Sequence, residues 1–136
     1  MADKHDVSPF ALGGANPSAQ YFVGTSYYAP LTGDDAQVGI ANVTFEPGCR
    51  NNWHIHHGCQ QTLVCVGGEG WYQEWGKEPV RMRPGDVIEI PLDVKHWHGA
   101  AKNSWFAHLS IISNTIPGSH EWLEPVDEDA YNALPE

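Results

Sequence analysis

Turn-forming residues divide this chain into pieces of strand length. Clusters such as Glu46-Pro47-Gly48, Gly67-Gly68 and Arg83-Pro84-Gly85-Asp86 separate pieces that are rich in β-branched and aromatic residues. None of these pieces carries the apolar stripe of an amphipathic helix. The predicted strands are 21–28, 37–45, 52–56, 61–66, 70–75, 80–82, 86–90, 95–100 and 105–112. This pattern predicts an all-β fold of antiparallel strands, either a sandwich or a barrel.

The length of 136 residues fits one domain. Residues 1–20 lack periodicity and are predicted to form an N-terminal arm, loose or added to the edge of a neighbouring subunit. Residues 21–136 are predicted to form the single domain. A short C-terminal helix is expected, because Asp127 can cap it and Pro135 can stop it.

Charge and composition exclude several classes of partner. Seven Lys and Arg against 17 Asp and Glu give a net charge of -10, so nucleic acid would be repelled. No apolar run approaches the roughly 20 residues of a membrane-spanning helix, and the N-terminus lacks the pattern of a secretory signal. Three cysteines without CxxC spacing indicate free thiols, a cytoplasmic location and no thiolate zinc site.

Most of the eight histidines fall on three predicted strands. His54 and His56 are two residues apart, so both imidazoles point to one face of a strand, about 7 Å apart along the chain. His96 and His98 repeat this arrangement, and His108 shares a face with apolar residues of the final long strand. The pattern directs at least five imidazoles into one enclosed space.

Ring nitrogens inside a small barrel need partners, because an unpaired buried polar group is costly. A metal ion would satisfy several of them at once. Gln61 begins the strand after the first pair and points to the same side as Leu63. By contrast, His57 is expected on the opposite face, while His5 and His120 are expected in solvent. The sequence therefore predicts one metal site.

Two stretches between residues 48 and 96 contain glycine, histidine and proline residues at characteristic spacings. The residues are Gly48, His54-Ile55-His56, Gln61 and Gly68 in the first stretch, and Gly85, Pro91 and His96 in the second. These stretches resemble the two signature motifs of the cupin superfamily, with Gln61 where most members have Glu. Asp93 replaces a turn glycine, and Ala100 stands where Asn is frequent. The resemblance implies an antiparallel double-stranded β-helix, the jelly-roll barrel of cupins.

Residues 53–56, 61–63 and 95–100, followed by His108, resemble a narrower group. This group is the bacterial cupins associated with carboxymuconolactone decarboxylase-like proteins, which include manganese-dependent hydroxynitrile lyases. The resemblance implies one divalent transition metal, manganese first, with iron, zinc or nickel as alternatives. It implies the ligands His54, His56, Gln61 and His96, and it places His98 and His108 beside the metal as acid and base.

The expected function is that of a metal-dependent cupin enzyme acting on a small oxygenated organic molecule. A lyase-type reaction is expected, similar to that of a hydroxynitrile lyase or to a decarboxylase or isomerase, with the metal as Lewis acid. An Fe(II)-dependent dioxygenase is one alternative, since three histidines and an oxygen ligand also suit iron. A non-catalytic small-molecule-binding cupin is the other.

The outward face of the barrel predicts self-association. Trp53, Trp97 and Trp105 lie out of phase with the histidines. Together with Leu109 and Ile111, and with the outward valines 64 and 66, they would leave a large apolar wall exposed. A homodimer that buries this wall is therefore expected.

Overall fold

The computed structural model describes residues 7–113 and 119–136 and consists of two antiparallel sheets packed face to face. The strands are β1 Gly14–Ala15, β2 Phe22–Val23, β3 Ser26–Pro30, β4 Val38–Phe45, β5 Arg50–Asn51, β6 His54–His57, β7 Gln61–Gly68, β8 Gly70–Glu74, β9 Val80–Met82, β10 Val87–Glu89, β11 His96–Ala100, β12 Phe106–Ser113 and β13 Ser119–Trp122. A 3-10 helix covers Ala19–Tyr21, and α1 covers Glu128–Asn132. Within the two described ranges, no helix has the length and apolar character needed to cross a bilayer.

Strand order shows how the barrel is built. One sheet has the order β1-β3-β4-β12-β7-β10. The other has the order β13-β6-β11-β5-β2, with β8 pairing to β11 and β9 pairing to β8. The chain crosses repeatedly between the two sheets, so the fold is the predicted all-β jelly roll with a short C-terminal helix. Strands β6 and β11, which carry the two His-x-His pairs, lie side by side in the second sheet.

The alternation of side chains in β7 shows which face is inside. Residues 61, 63, 65 and 67 are buried, whereas residues 62, 64, 66 and 68 are half-buried. Leu63 joins Phe45, Tyr72, Met82 and Phe106 in the apolar core between the sheets. The inward phase predicted for Gln61 is thus the phase of the core.

The predicted strand at 21–28 is two strands in the structure. The chain bends at Gly24, whose φ is 93°, and a Cβ there would lie 3.0 Å from the backbone of Cys49. Glycine is required because the bend combines a left-handed conformation with a close approach. Strands β1, β5 and β13 were not predicted, because two to four residues carry too little periodicity to be recognised.

The described part of the N-terminal segment packs on its own chain. Strand β1 pairs with β3, Gly14 opposite Tyr28. Asn42 Nδ2 donates to the Ala11 carbonyl at 3.1 Å, and Val7 is buried. Strand β1 therefore forms an edge of the first sheet, and residues 7–11 also contact the same chain, while His5 lies outside the described residues.

The C-terminal segment covers the outer side of the second sheet. Asp127 caps α1 by accepting a hydrogen bond from the Ala130 N–H at 3.0 Å, as predicted, and the helix ends before Pro135. The buried members of this outer cluster are Trp53, Trp71, Trp97, Ala101, Val126 and Tyr131. The cover over Trp53 and Trp97 is thus supplied by the same chain.

Candidate metal centre and pocket

Three imidazoles converge where β6 and β11 pair. His54 lies opposite His96 across the two strands, and their ring centroids are 4.1 Å apart. His56 follows on the same face, 5.2 Å from His54 and 5.3 Å from His96 by ring centroids. One nitrogen from each ring lies within 4.8 Å of the others, so this buried group could hold a metal ion.

Backbone carbonyls fix two of these rings. His54 Nδ1 donates to the Asn52 carbonyl at 2.8 Å, and His96 Nδ1 donates to the Val94 carbonyl at 2.9 Å. Each ring therefore keeps the Nε2 lone pair free, the arrangement that metal-ligating histidines use. His96 Nε2 is buried and has no partner in the described chain.

The orientation of the Gln61 amide is also fixed. Its Nε2 donates to Ser110 Oγ at 2.7 Å across β7 and β12, which leaves Oε1 buried and unpartnered within the described residues. Gln61 lines the same cavity as His54 and His56. Three imidazole nitrogens and one amide oxygen form a donor set that fits a first-row divalent metal.

His98 and His108 lie deeper in the barrel, with ring centroids 4.8 Å apart and nearly perpendicular planes. The His98 backbone N–H donates to Asn51 Oδ1 at 2.9 Å, so the amide nitrogen Nδ2 of Asn51 faces His98 Nε2 at 3.1 Å. The NH₂ of an amide can only donate, so His98 Nε2 is the acceptor and Nδ1 carries the proton. For His108, neither ring nitrogen has a partner among the described residues.

Burial keeps these histidines neutral. Desolvation is the first cause in each case, lowering the pKa of His56 to about 3 and those of His96 and His108 to about 4. The pKa values of His54 and His98 also lie well below the ordinary value, again through burial first and neighbouring histidines second. Neutral imidazoles can ligate a metal or accept a proton.

A cavity of about 230 Å³ opens to the surface. Its polar lining includes His54, His56, Gln61 and His98, whereas His96 and His108 are buried and do not line it. The apolar part of its lining is Phe22, Tyr28, Val43, Ile112 and Trp122. Trp122 lies over the His54 ring at 4.6 Å and stacks on Tyr21 at 4.5 Å. The cavity therefore joins a polar, histidine-lined floor to an aromatic wall.

His120 is exposed, as the sequence predicts, but the structure also places it at the site. It lines the cavity, and its ring centroid is 4.3 Å from that of His56, because β13 pairs with β6 and sets the two residues opposite each other. Asn51 and Ser110 were also missed as site residues. His120 and Trp122 lie two residues apart, and this was the signal available in the sequence.

His57 lies outside the cavity, as its phase predicts. Its Nδ1 is 2.7 Å from Asp93 Oδ1, and its Nε2 is 2.8 Å from Glu121 Oε1. These two carboxylates raise the pKa of His57, Glu121 first. Asp93 adopts a φ of 62°, the left-handed turn conformation expected at the position of the missing glycine.

Comparison with known proteins gives consistent results. A family model described as a cupin domain matches residues 41–112. An (R)-mandelonitrile lyase from Granulicella tundricola is 40% identical over 115 residues, which cover 83% of this chain and 87% of the relative. A cupin-like protein from Thermotoga maritima superposes with a TM-score of 0.84 at 38% identity, covering 92% of this chain and 95% of that one. A second Thermotoga maritima protein, described as a predicted oxalate decarboxylase, shares the fold at 20% identity and a TM-score of 0.66, covering 83% and 97% of the two chains.

Proposed function

Because the chain belongs to the cupin family, we propose that it is a metal-dependent enzyme of the lyase type that acts on a small oxygenated organic molecule. The observation that carries the proposal is a buried floor of imidazole nitrogens that have no partner among residues 7–113 and 119–136 and that adjoin an aromatic-walled cavity. Buried polar groups without partners lower the stability of the fold, so a barrel with a purely structural role would not be expected to contain them.

The proposed ligands are His54, His56, Gln61 and His96. Two of the rings are held by backbone carbonyls and the amide by Ser110, so the donors are oriented before any ion arrives. Mn²⁺ is the proposed ion by the family resemblance, while the donor set itself also suits Fe, Ni or Zn. A bound divalent ion of this kind supplies Lewis-acid polarisation of a substrate oxygen.

The two deeper histidines have different proposed roles. His108 is neutral with both nitrogens unpartnered in the described chain, so it can take a proton from a substrate hydroxyl. His98 presents Nδ1–H, because Asn51 occupies its Nε2, so in this state His98 can donate a hydrogen bond to a substrate. Asn51 thereby assigns acceptor and donor to two adjacent rings.

The proposed substrate class is an aromatic cyanohydrin, by analogy with the mandelonitrile lyase relative. A cavity of about 150 Å³ admits benzene, so the cavity here has room for a single ring with a short polar arm. The hydroxyl proton passes to His108, the bond from carbon to cyanide breaks, and cyanide leaves with the electron pair. The aldehyde forms, and the proton returns to cyanide to give HCN.

The test uses purified protein reloaded with Mn²⁺ and supplied with racemic mandelonitrile. We expect benzaldehyde and cyanide in equal amounts, with or without O₂. His108→Asn should retain the metal and lose at least about 100-fold in kcat, the size of a general acid or base contribution. The matched control is His57→Gln, which removes a histidine outside the cavity and should leave turnover unchanged.

Two results would contradict the proposal. Turnover that requires O₂ would favour the Fe(II) dioxygenase alternative. If the fully metallated protein turns over no cyanohydrin, hydroxy acid or oxo acid, a non-catalytic binding role would be favoured.

We also propose that the protein is a homodimer. Val64, Val66, Leu109 and Ile111 remain half-buried on the outer face of the first sheet, where β7 and β12 pair. A second copy would complete their burial. Light scattering at micromolar concentration should give twice the chain mass, and a monomer would refute this assembly.

A further inference from the structure

His56 differs from the other two histidines of the metal centre. His54 and His96 each bond one ring nitrogen to a backbone carbonyl and keep one free. His56 is 3% exposed, yet neither Nδ1 nor Nε2 has a partner in the part of the chain that the structure describes. The proposed metal uses one of these nitrogens. The other ring nitrogen of His56 then remains buried without a hydrogen-bond partner, which is costly.

Cys59 and His120 lie beside this ring. Gly58, with a φ of 79°, turns the chain after β6 so that Cys59 folds back towards His56. His120 reaches the same place from β13. One ligand atom each from His56, Cys59 and His120 lie within 4.8 Å of one another.

We propose that Cys59, His120 and the second ring nitrogen of His56 form a further cation site, adjacent to the first and selective for a soft divalent ion of the zinc class. Thiolate and imidazole donors select such ions, and three protein ligands leave one position for water. The thiol proton and the remaining His56 ring proton leave to solvent as this ion binds, so that His56 bridges the two ions.

The site was not expected from the sequence, because the cysteines lack the close spacing of thiolate zinc motifs. The fold supplies the missing proximity, since Cys59 and His120 are 61 positions apart along the chain but meet where β13 pairs with β6. Cys59 is buried at 8% exposure, while His120 is exposed, so an ion can enter from the solvent side.

The experiment titrates metal-free protein with Co²⁺ and follows the absorption spectrum. The first site has no sulfur donor, so the first equivalent should give no sulfur-to-cobalt charge-transfer band in the near ultraviolet. The second equivalent should produce that band. Cys59→Ala should abolish it while one Co²⁺ still binds.

Two further variants separate a ligand from a structural effect. His120→Ala changes an exposed residue, so folding should persist while binding of the second Co²⁺ weakens by at least about 100-fold, more than loss of a supporting group costs. Cys65→Ala removes another buried thiol, one that packs in the apolar core, and should leave the band intact.

Three outcomes would overturn the proposal: no thiolate band at two equivalents, a band that survives His120→Ala unchanged, or a band that appears with a single Co²⁺ bound in total. Failure of the proposed lyase function gives a different result: two Co²⁺ would still bind, with the band on the second equivalent, while the Mn²⁺-loaded protein would turn over no mandelonitrile. The two proposals therefore fail separately.

Discussion

Both faces of β11 bury polar groups, but the hydrogen bonding of those groups differs between the two faces. On the outer face, Trp97 Nε1 donates to Gln73 Oε1 at 2.9 Å, and Tyr131 OH donates to the Ala100 carbonyl at 2.6 Å. On the inner face, His96 Nε2 and His98 Nδ1 are buried without partners in the described chain. Among the described residues of β11, the unsatisfied groups therefore lie on the face that adjoins the cavity, where a ligand can satisfy them.

The outer face should carry stability and the inner face should carry binding. Trp97→Ala leaves a large void in the outer cluster and should cost about 3–5 kcal/mol in the free energy of unfolding, measured by urea denaturation. Trp97→Phe should cost less. Metal stoichiometry of the folded fraction should be unchanged in both, and a loss of metal would show that the two faces are not separable.

The inner face should make the metal-free protein sensitive to acid. Because burial lowers the pKa of His108 from 6.5 to about 4, the unfolded state binds one more proton than the folded state between these values. Stability is therefore full above pH 6.5 and falls by about 1.4 kcal/mol per pH unit for this histidine as the pH drops to 4. Urea denaturation of chelator-treated protein at several pH values measures the slope.

His108→Leu should reduce this slope by the contribution of one proton. His57→Gln is the matched control, because the carboxylates beside His57 raise its pKa, so both states are protonated there below pH 6. An acid slope that is unchanged in His108→Leu would mean that the buried ring does not titrate as its surroundings indicate.

Ser110→Ala sharpens the comparison within the inner face. It removes the bond that aims Gln61 Oε1 inward, and metal affinity should fall by about 10–100-fold with little change in stability. The matched control is Ser104→Ala, whose hydroxyl bonds the Trp105 carbonyl away from the cavity. Isothermal titration with Mn²⁺ measures both, and equal affinities would show that Gln61 is not a ligand.

Asp127→Ala should have the smallest effect and only on the outer side. Loss of the N-cap of α1 should cost about 1 kcal/mol, because one helix N–H loses its acceptor. Metal affinity should match the unsubstituted protein. A change in affinity would indicate that α1, through Tyr131 and the outer cluster, supports the inner face.

Sequence periodicity was sufficient to predict which way side chains point within one strand. The directions of His54, His56 and His57 followed from alternation on one strand, and Asp127 followed from cap chemistry. Alternation could not show that β13 would pair with β6, because that register is set by contacts more than 60 residues apart. His120 was therefore predicted to be a solvated bystander, and it is exposed, but it also lines the cavity.

The hydrogen-bond partners of the site residues could not be predicted either, because they also depend on strands that are distant in the sequence. The proton position on His98 depends on Asn51, which sits on a two-residue strand, and the amide orientation of Gln61 depends on Ser110 on another strand. Residue type and spacing predict that a metal site exists and which side chains could contribute to it. Tertiary contacts decide which atom of each side chain faces it.

The walls of the cavity divide recognition between two parts of the chain. The proposed ligands lie between residues 54 and 96, whereas Trp122 and His120 come from β13, which pairs with β6. A change at Trp122 should therefore alter which substrates fit while the donors that would hold the ion stay the same.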